Sequence, residues 1–192
     1  MLEVVKALLI AMALVIAVIY LFLGNLRATL VPAVTIPVSI IAAFIVMGAL
    51  GFSINTLTLL GLVLAIGLVV DDAIVVLENI YRRMENGEPA LIASVDGSRE
   101  IGFAVVATTM VLVAVFLPMS FLSGNVGKLF REFGFTIAAA VAFSSLVALT
   151  LTPMMTSKLF AGGAHRSRMA VTVDDFFQRL SAWYDRNLRR AM

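Results

Sequence analysis

Thr-Leu-Thr-Leu-Leu-Gly-Leu-Val-Leu-Ala-Ile-Gly-Leu-Val-Val-Asp-Asp-Ala-Ile-Val-Val-Leu-Glu-Asn-Ile, residues 56–80, is a near-continuous apolar run broken at one place, Asp71-Asp72. A helix crosses the hydrocarbon layer of a bilayer with roughly 20 apolar residues, so this run is long enough to span. Membrane-barrel strands are short and alternate apolar with polar positions, a pattern this stretch lacks. The run therefore predicts a transmembrane helix, with an acidic pair about 5 Å from its centre at 1.5 Å of rise per residue.

Four more runs of the same kind flank it, giving five predicted spans near 4–23, 29–50, 56–80, 101–122 and 133–159. The first is too long for a secretory signal core, shows no clear small-x-small cleavage site and is followed by Arg27, so it reads as a span. Of the 192 residues, 61% are hydrophobic and 14% charged, and the mean hydropathy is +1.06. A soluble domain of this length has no core large enough for so much apolar surface. The fold class expected is an all-α integral membrane bundle, occupying residues 1–160.

The connections predicted inside it are short. Gly24–Ala28 and Gly51–Asn55 read as tight turns, with Asn55 as N-cap of the third helix. Pro32 is placed in the first turn of the second helix, whereas Pro37 and Pro153 fall deeper and are expected to kink their helices. Beyond the bundle the composition changes. Residues 161–173 form a polar, Gly-containing linker, and 174–190 carry Phe176, Phe177, Leu180, Trp183, Tyr184 and Leu188 at helical spacing among arginines. That pattern fits an amphipathic helix on an anionic membrane surface, or one packed on a soluble partner domain.

Charge sets the orientation. With five spans, one side holds Arg27, Arg82, Arg83, Arg99, Lys158, Arg166, Arg168, Arg179, Arg186, Arg189 and Arg190, and the other holds Lys6, Lys128 and Arg131. By the positive-inside rule the N-terminus is expected outside and the C-terminus in the cytoplasm. Lipid is the partner this composition implies, and no nucleic-acid partner is expected. The chain has no cysteine, which excludes disulfides and thiolate metal sites. His165, alone in the polar tail, is expected to be solvated rather than a metal ligand.

Asp71 and Asp72 are the candidate functional residues. An acid near the centre of a membrane helix costs about 3 kcal/mol on insertion scales, so an adjacent pair calls for a bundle interior and for polar or cationic partners. A carboxyl in an apolar site is harder to ionise and a nearby cation reverses this; a group balanced between the two can take up a proton on one side and release it on the other. The alternative is a structural pair that fixes helix packing through buried hydrogen bonds. Glu78 lies seven residues after Asp71 on the same face, where it either extends a proton path or pairs with Arg82. Gly61, Ala65 and Gly67 leave room for a close helix neighbour. Thr108 and Thr109 are possible donors to the carboxyls, although a threonine more often bonds its own helix backbone. No catalytic residue is expected. Aspartyl-protease chemistry needs two carboxyls face to face sharing a proton, and adjacent residues on one helix point apart.

These residues carry a resemblance. Gly-Phe-Ser-Ile-Asn-Thr-Leu-Thr (51–58) and Gly-Leu-Val-Leu-Ala-Ile-Gly-Leu-Val-Val-Asp-Asp-Ala-Ile-Val-Val-Leu-Glu-Asn (61–79) resemble the fourth transmembrane helix of AcrB-like pumps of the resistance–nodulation–division family. Tyr-Leu-Phe-Leu-Gly-Asn-Leu-Arg-Ala-Thr-Leu (20–30), Val-Ala-Val-Phe-Leu-Pro-Met (113–119) and Leu-Thr-Pro (151–153) extend it from the family's second helix through its sixth, and the aromatic tail resembles the surface helix after it. The resemblance implies a trimeric inner-membrane pump that works with a periplasmic adaptor and an outer-membrane channel. It would expel drugs against inward proton flow, with Asp71 and Asp72 as the proton-relay pair and no cofactor beyond the proton gradient. The double acid points to the hydrophobe/amphiphile branch; a heavy-metal or lipid exporter of the family, or a non-transporting scaffold that associates with full-length pumps, are the alternatives. The family's first helix, its periplasmic drug-binding domains and its second half, which supplies the lysine and arginine that pair with the acids, have no counterpart in these residues. The chain alone is therefore expected not to transport.

Overall fold

A computed structural model describes residues 2–161, apart from the side chains of Leu2, Val4, Val5, Phe22, Leu23, Asn125, Val126, Lys128 and Leu129. The polar linker, His165 and the aromatic tail helix read from the sequence lie outside the described residues, Ala161 excepted. Five long helices follow one another: α1 (Leu2–Leu23), α2 (Leu26–Ala49), α3 (Thr56–Glu85), α4 (Ala90–Phe116, continued by a 3₁₀ turn at Leu117–Phe121) and α5 (Gly124–Leu159). No strand occurs among the described residues, in agreement with the unbroken apolar runs. Four of the helices, α2 to α5, are long and apolar enough to cross a membrane; the apolar stretch of α1, Lys6–Leu21, is shorter.

Local chemistry explains where the helices start and stop. Asn55 caps α3: its Oδ1 accepts the N–H groups of Leu57 and Thr58 at 2.9 Å, while Thr58 Oγ1 accepts the Asn55 N–H at 2.9 Å. This reciprocal box satisfies donors that the helix itself leaves free. Asn25 caps α2 more simply, its side chain accepting from the Arg27 N–H at 3.0 Å. Arg27 and Pro32 are thus placed differently from their sequence reading. The turn is shorter, Arg27 already lies in the first turn of α2, and Pro32 falls in the helix interior beside Pro37. The cap decides this, because an asparagine oxygen on the Arg27 N–H starts the helix before the apolar run begins. The reversals after α2 and α3 pass through Gly51 (φ +69°) and Gly87 (φ +94°), left-handed conformations that a side chain would strain.

α3 is the centre of the bundle and touches each of the other four helices. Its buried stripe runs through Leu62, Ala65, Ile66, Val69, Asp72, Ala73, Val76 and Ile80. Around it pack Ile36, Ile40 and Ala43 of α2, Ala140 and Ala148 of α5, and Ala93 and Val105 of α4. Gly61 sits against α5, where an added Cβ would meet the Phe133 ring at 3.2 Å; Ala65 is fully buried. Gly67, by contrast, is exposed with nothing within 4 Å, so only the first two of the three small residues serve close packing. The two ends of the bundle are tied separately. At one, Phe52 and Phe135 rings lie 5.8 Å apart, and Glu132 of α5 accepts from Ser53 and Asn55. At the other, Tyr81 meets the Phe160 ring edge-on at 5.7 Å.

α3 and α4 approach closely at Gly97, in the first half of α4, where a Cβ would stand 3.2 Å from Ile80 Cα and 3.1 Å from Ile80 Cγ1. Backbone cannot move aside as a flexible side chain can. Gly97→Leu is therefore expected to destabilise the helix pair by about 1–3 kcal/mol, the range for overpacked sites. Gly48→Ala, which meets open space within α2, should not destabilise the protein, since alanine is the better helix former. Denaturant titration in detergent micelles checks both.

Candidate functional site

The helical register of α3 separates the two aspartates. Asp72 falls on the buried stripe and keeps 9% of its surface exposed. Asp71, about 100° round the helix, falls on an opposite stripe that is open along its length: Leu60, Leu64, Asp71, Val75 and Glu78 are all exposed. The two carboxyls therefore have different surroundings although they are neighbours in sequence. Both border a cleft of about 160 Å³ between α3 and α4, lined by Leu68, Asp71, Asp72 and Val75 from one helix and Ala104, Val105, Thr108 and Leu112 from the other. At ~30 Å³ per water, that volume has room for a few water molecules beside the acids.

Asp72 Oδ2 is sealed from solvent and accepts no hydrogen bond from the described residues. Ser144 of α5 packs beside it, with its hydroxyl interacting with the Asp72 carboxyl. The Ser144 proton itself is directed elsewhere: Oγ donates to the Val69 carbonyl at 2.8 Å. Nothing in the apolar run Ala-Ala-Ala-Val-Ala-Phe-Ser-Ser singled out Ser144; its position beside Asp72 comes from the packing of α5 on α3. No ion pair to either aspartate occurs among the described residues. Among the described side chains, the basic residues of the helices around α3 are Lys6, Arg27, Arg99, Arg131 and Lys158, and none of them forms an ion pair with either aspartate.

The remaining candidates separate in the same way. Thr108 Oγ1 donates to the carbonyls of Ala104 and Val105, and Thr109 Oγ1 to that of Val105, so both hydroxyls bond their own helix rather than a carboxyl. Thr108 still faces the cleft, whereas Thr109 is buried away from its lining. Glu78 is exposed on the Asp71 stripe, and no ion pair joins it to Arg82. Arg82 instead donates to Asn79 Oδ1 at 2.7 Å.

Asn79 belongs to a polar joint that the sequence reading did not identify. Its Nδ2 donates to the Gly97 carbonyl at 2.8 Å and to Glu100 Oε2 at 3.2 Å. Arg83 binds Glu88 at 2.9 Å and Glu100 at 3.1 Å, with Asp96 at 3.8 Å. The joint fastens the end of α3 to the start of α4, two turns beyond the aspartates. Its components are scattered over residues 79–100, and only the reversal at Gly87 brings them together.

Glu100 stands just ahead of the apolar stretch of α4. Hydrogen bonds from Asn79 and then Arg83 hold its carboxyl below the ordinary glutamate range. A carboxyl whose folded-state pKa is depressed contributes stability above its unfolded value and loses it as pH falls through the folded value. Wild type is therefore expected to unfold at higher temperature than Glu100→Gln at neutral pH. The gap should close as pH drops below the normal glutamate range, as followed by thermal melts in detergent.

Comparison with known proteins gives one further finding: the family model described as the AcrB/AcrD/AcrF family matches residues 1–192.

Proposed function

This chain belongs to the AcrB/AcrD/AcrF family, and from that premise we propose that it is a membrane portion of a proton-driven multidrug efflux transporter, with Asp71 and Asp72 carrying the protons. The observation that supports proton carriage most directly is the placement of Asp72: a carboxyl within the central membrane helix, beside a cleft, with one oxygen sealed and without a donor among the described residues. Acids at helix centres cost about 3 kcal/mol each, and packing by itself is better served by apolar residues. A proton arriving through the cleft neutralises the carboxyl and removes the cost of a buried charge. Its departure restores the charge, and the bundle must then rearrange to compensate.

The open stripe of α3 supports the second part of the proposal, that other polypeptide completes the site. Asp71 is exposed in the middle of a membrane helix, where lipid is a poor neighbour for a carboxyl. A cation at that depth, which the described residues do not supply, would offset the charge. In keeping with the family resemblance, we assign that cation to the remainder of the pump. We further propose that the site lies in the bacterial inner membrane, with the N-terminus periplasmic and the C-terminus cytoplasmic. A homotrimer, a periplasmic adaptor and an outer-membrane channel are the proposed partners. Helix ends carrying Arg27, Arg82, Arg83, Arg99 and Lys158 fit the cytoplasmic side by the positive-inside rule.

Dye accumulation in pump-deficient Gram-negative cells tests the reading. Expressed by itself and correctly inserted, neither the wild-type chain nor Asp72→Asn is expected to lower accumulation. If the wild type lowers it and Asp72→Asn does not, the chain transports unaided, and the assignment of the cation to another polypeptide fails.

A further inference from the structure

Among the described residues, the Ser144 hydroxyl makes the one side-chain hydrogen bond that crosses between α3 and α5 inside the apolar zone; those from Ser53 and Asn55 to Glu132 sit at the bundle end. It reaches the Val69 carbonyl at 2.8 Å and is itself buried, at 2% exposure. Val69 and Asp72 are three residues apart, hence neighbours on one helix face. The Asp72 carboxyl lies against the same hydroxyl, with its Oδ2 buried and undonated. A single O–H is therefore placed between two acceptors, one a backbone carbonyl and the other a carboxyl.

A serine hydroxyl has one proton to give and two lone pairs to receive with. When Asp72 carries a proton, its O–H has an acceptor in Ser144 Oγ, which continues to donate to Val69. When Asp72 is ionised, the stronger acceptor is the carboxylate, because charge-assisted bonds are roughly twice as strong as neutral ones. The Ser144 O–H then turns to Asp72 and leaves Val69. The Val69 carbonyl remains inside α3, where the amide four residues on satisfies it, so the loss is tolerable. The proton on Asp72 and the tether between α3 and α5 thus depend on the same hydroxyl.

Resting on the proton-carrying reading of Asp72, we infer that Ser144 is a positioning residue that couples the protonation of Asp72 to the hydrogen bond joining α5 to α3. The charged groups around it do not offer an alternative route. Asp71 is the titratable neighbour on α3, with Glu78 two turns on, whereas Glu3 and Lys6 of α1, Arg27 of α2, Asp96, Arg99 and Glu100 of α4, and Arg131, Glu132 and Lys158 of α5 lie towards helix ends. Ser145, the adjacent serine, donates to the Ala142 carbonyl of its own helix and serves as the internal control.

Infrared spectra of the full chain in lipid nanodiscs, recorded at pH 5 and pH 7, test this. The carbonyl stretch of protonated Asp72 is identified as the band lost in Asp72→Asn and kept in Asp71→Asn. In Ser144→Ala the band is expected to move to higher wavenumber, since the acid O–H has lost its acceptor. Ser144→Thr, which retains a hydroxyl, should restore the position, and Ser145→Ala should leave it unchanged. Circular dichroism confirms that each variant keeps its helices. An Asp72 band that stays in place in Ser144→Ala overturns the role of Ser144 and leaves proton carriage standing. Absence of any Asp72-dependent band at either pH removes proton carriage itself, and the inference with it.

Discussion

Inside a bilayer a polar group has no water to turn to, and each must find its partner within the protein. That constraint accounts for the helices, whose backbone groups bond within one segment, and for the threonines and serines that donate to carbonyls of their own helix, such as Thr136 to Glu132, Thr150 to Leu146 and Thr156 to Thr152. It also accounts for the position of α3. A helix carrying two acids in an apolar run is least costly at the centre of a bundle, and α3 is the helix that every other helix touches.

Most polar links between α3 and its neighbours lie at helix ends. Glu132 ties the start of α3 to α5, and the Asn79, Arg83 and Glu100 joint ties its end to α4. Between these anchors the contact is almost wholly apolar, formed by small and branched side chains, and among the described residues the Ser144 bond is the polar exception. A helix held at both ends and packed through apolar surface between them can alter its middle with little loss of hydrogen bonding. Such a bundle would suit the proton carriage proposed for Asp72.

The exposed stripe of α3 and the exposed face of α4, where Phe103, Met110, Val111 and Val115 point outward, have different meanings in a membrane. The α4 face is apolar throughout and compatible with lipid. The α3 stripe holds Asp71 and Glu78 among leucines and valine, so lipid alone is a poor cover. The distinction depends on chemistry rather than exposed area: an apolar side chain gains nothing by leaving the bilayer, whereas a carboxyl gains a partner.

The residue pattern by itself determined the fold class, the acidic helix and the capping of α3 by Asn55. Each is a local or compositional effect: runs of apolar residues have no other solvent than lipid, and a cap needs only its next few neighbours. Helix ends were legible less well, because the apolar run says where the hydrocarbon lies and the cap says where the helix begins; Arg27 and Pro32 moved for that reason. The tertiary structure decided which aspartate is buried and which exposed, that Gly67 faces outward, that Thr108 and Thr109 bond their own helix, and that Arg82 turns to Asn79 rather than Glu78. It also brought Ser144 to Asp72 from 72 positions away in the chain. These outcomes depend on which face of each helix meets which neighbour, and an apolar helix surrounded by lipid carries no amphipathic stripe from which that choice can be read.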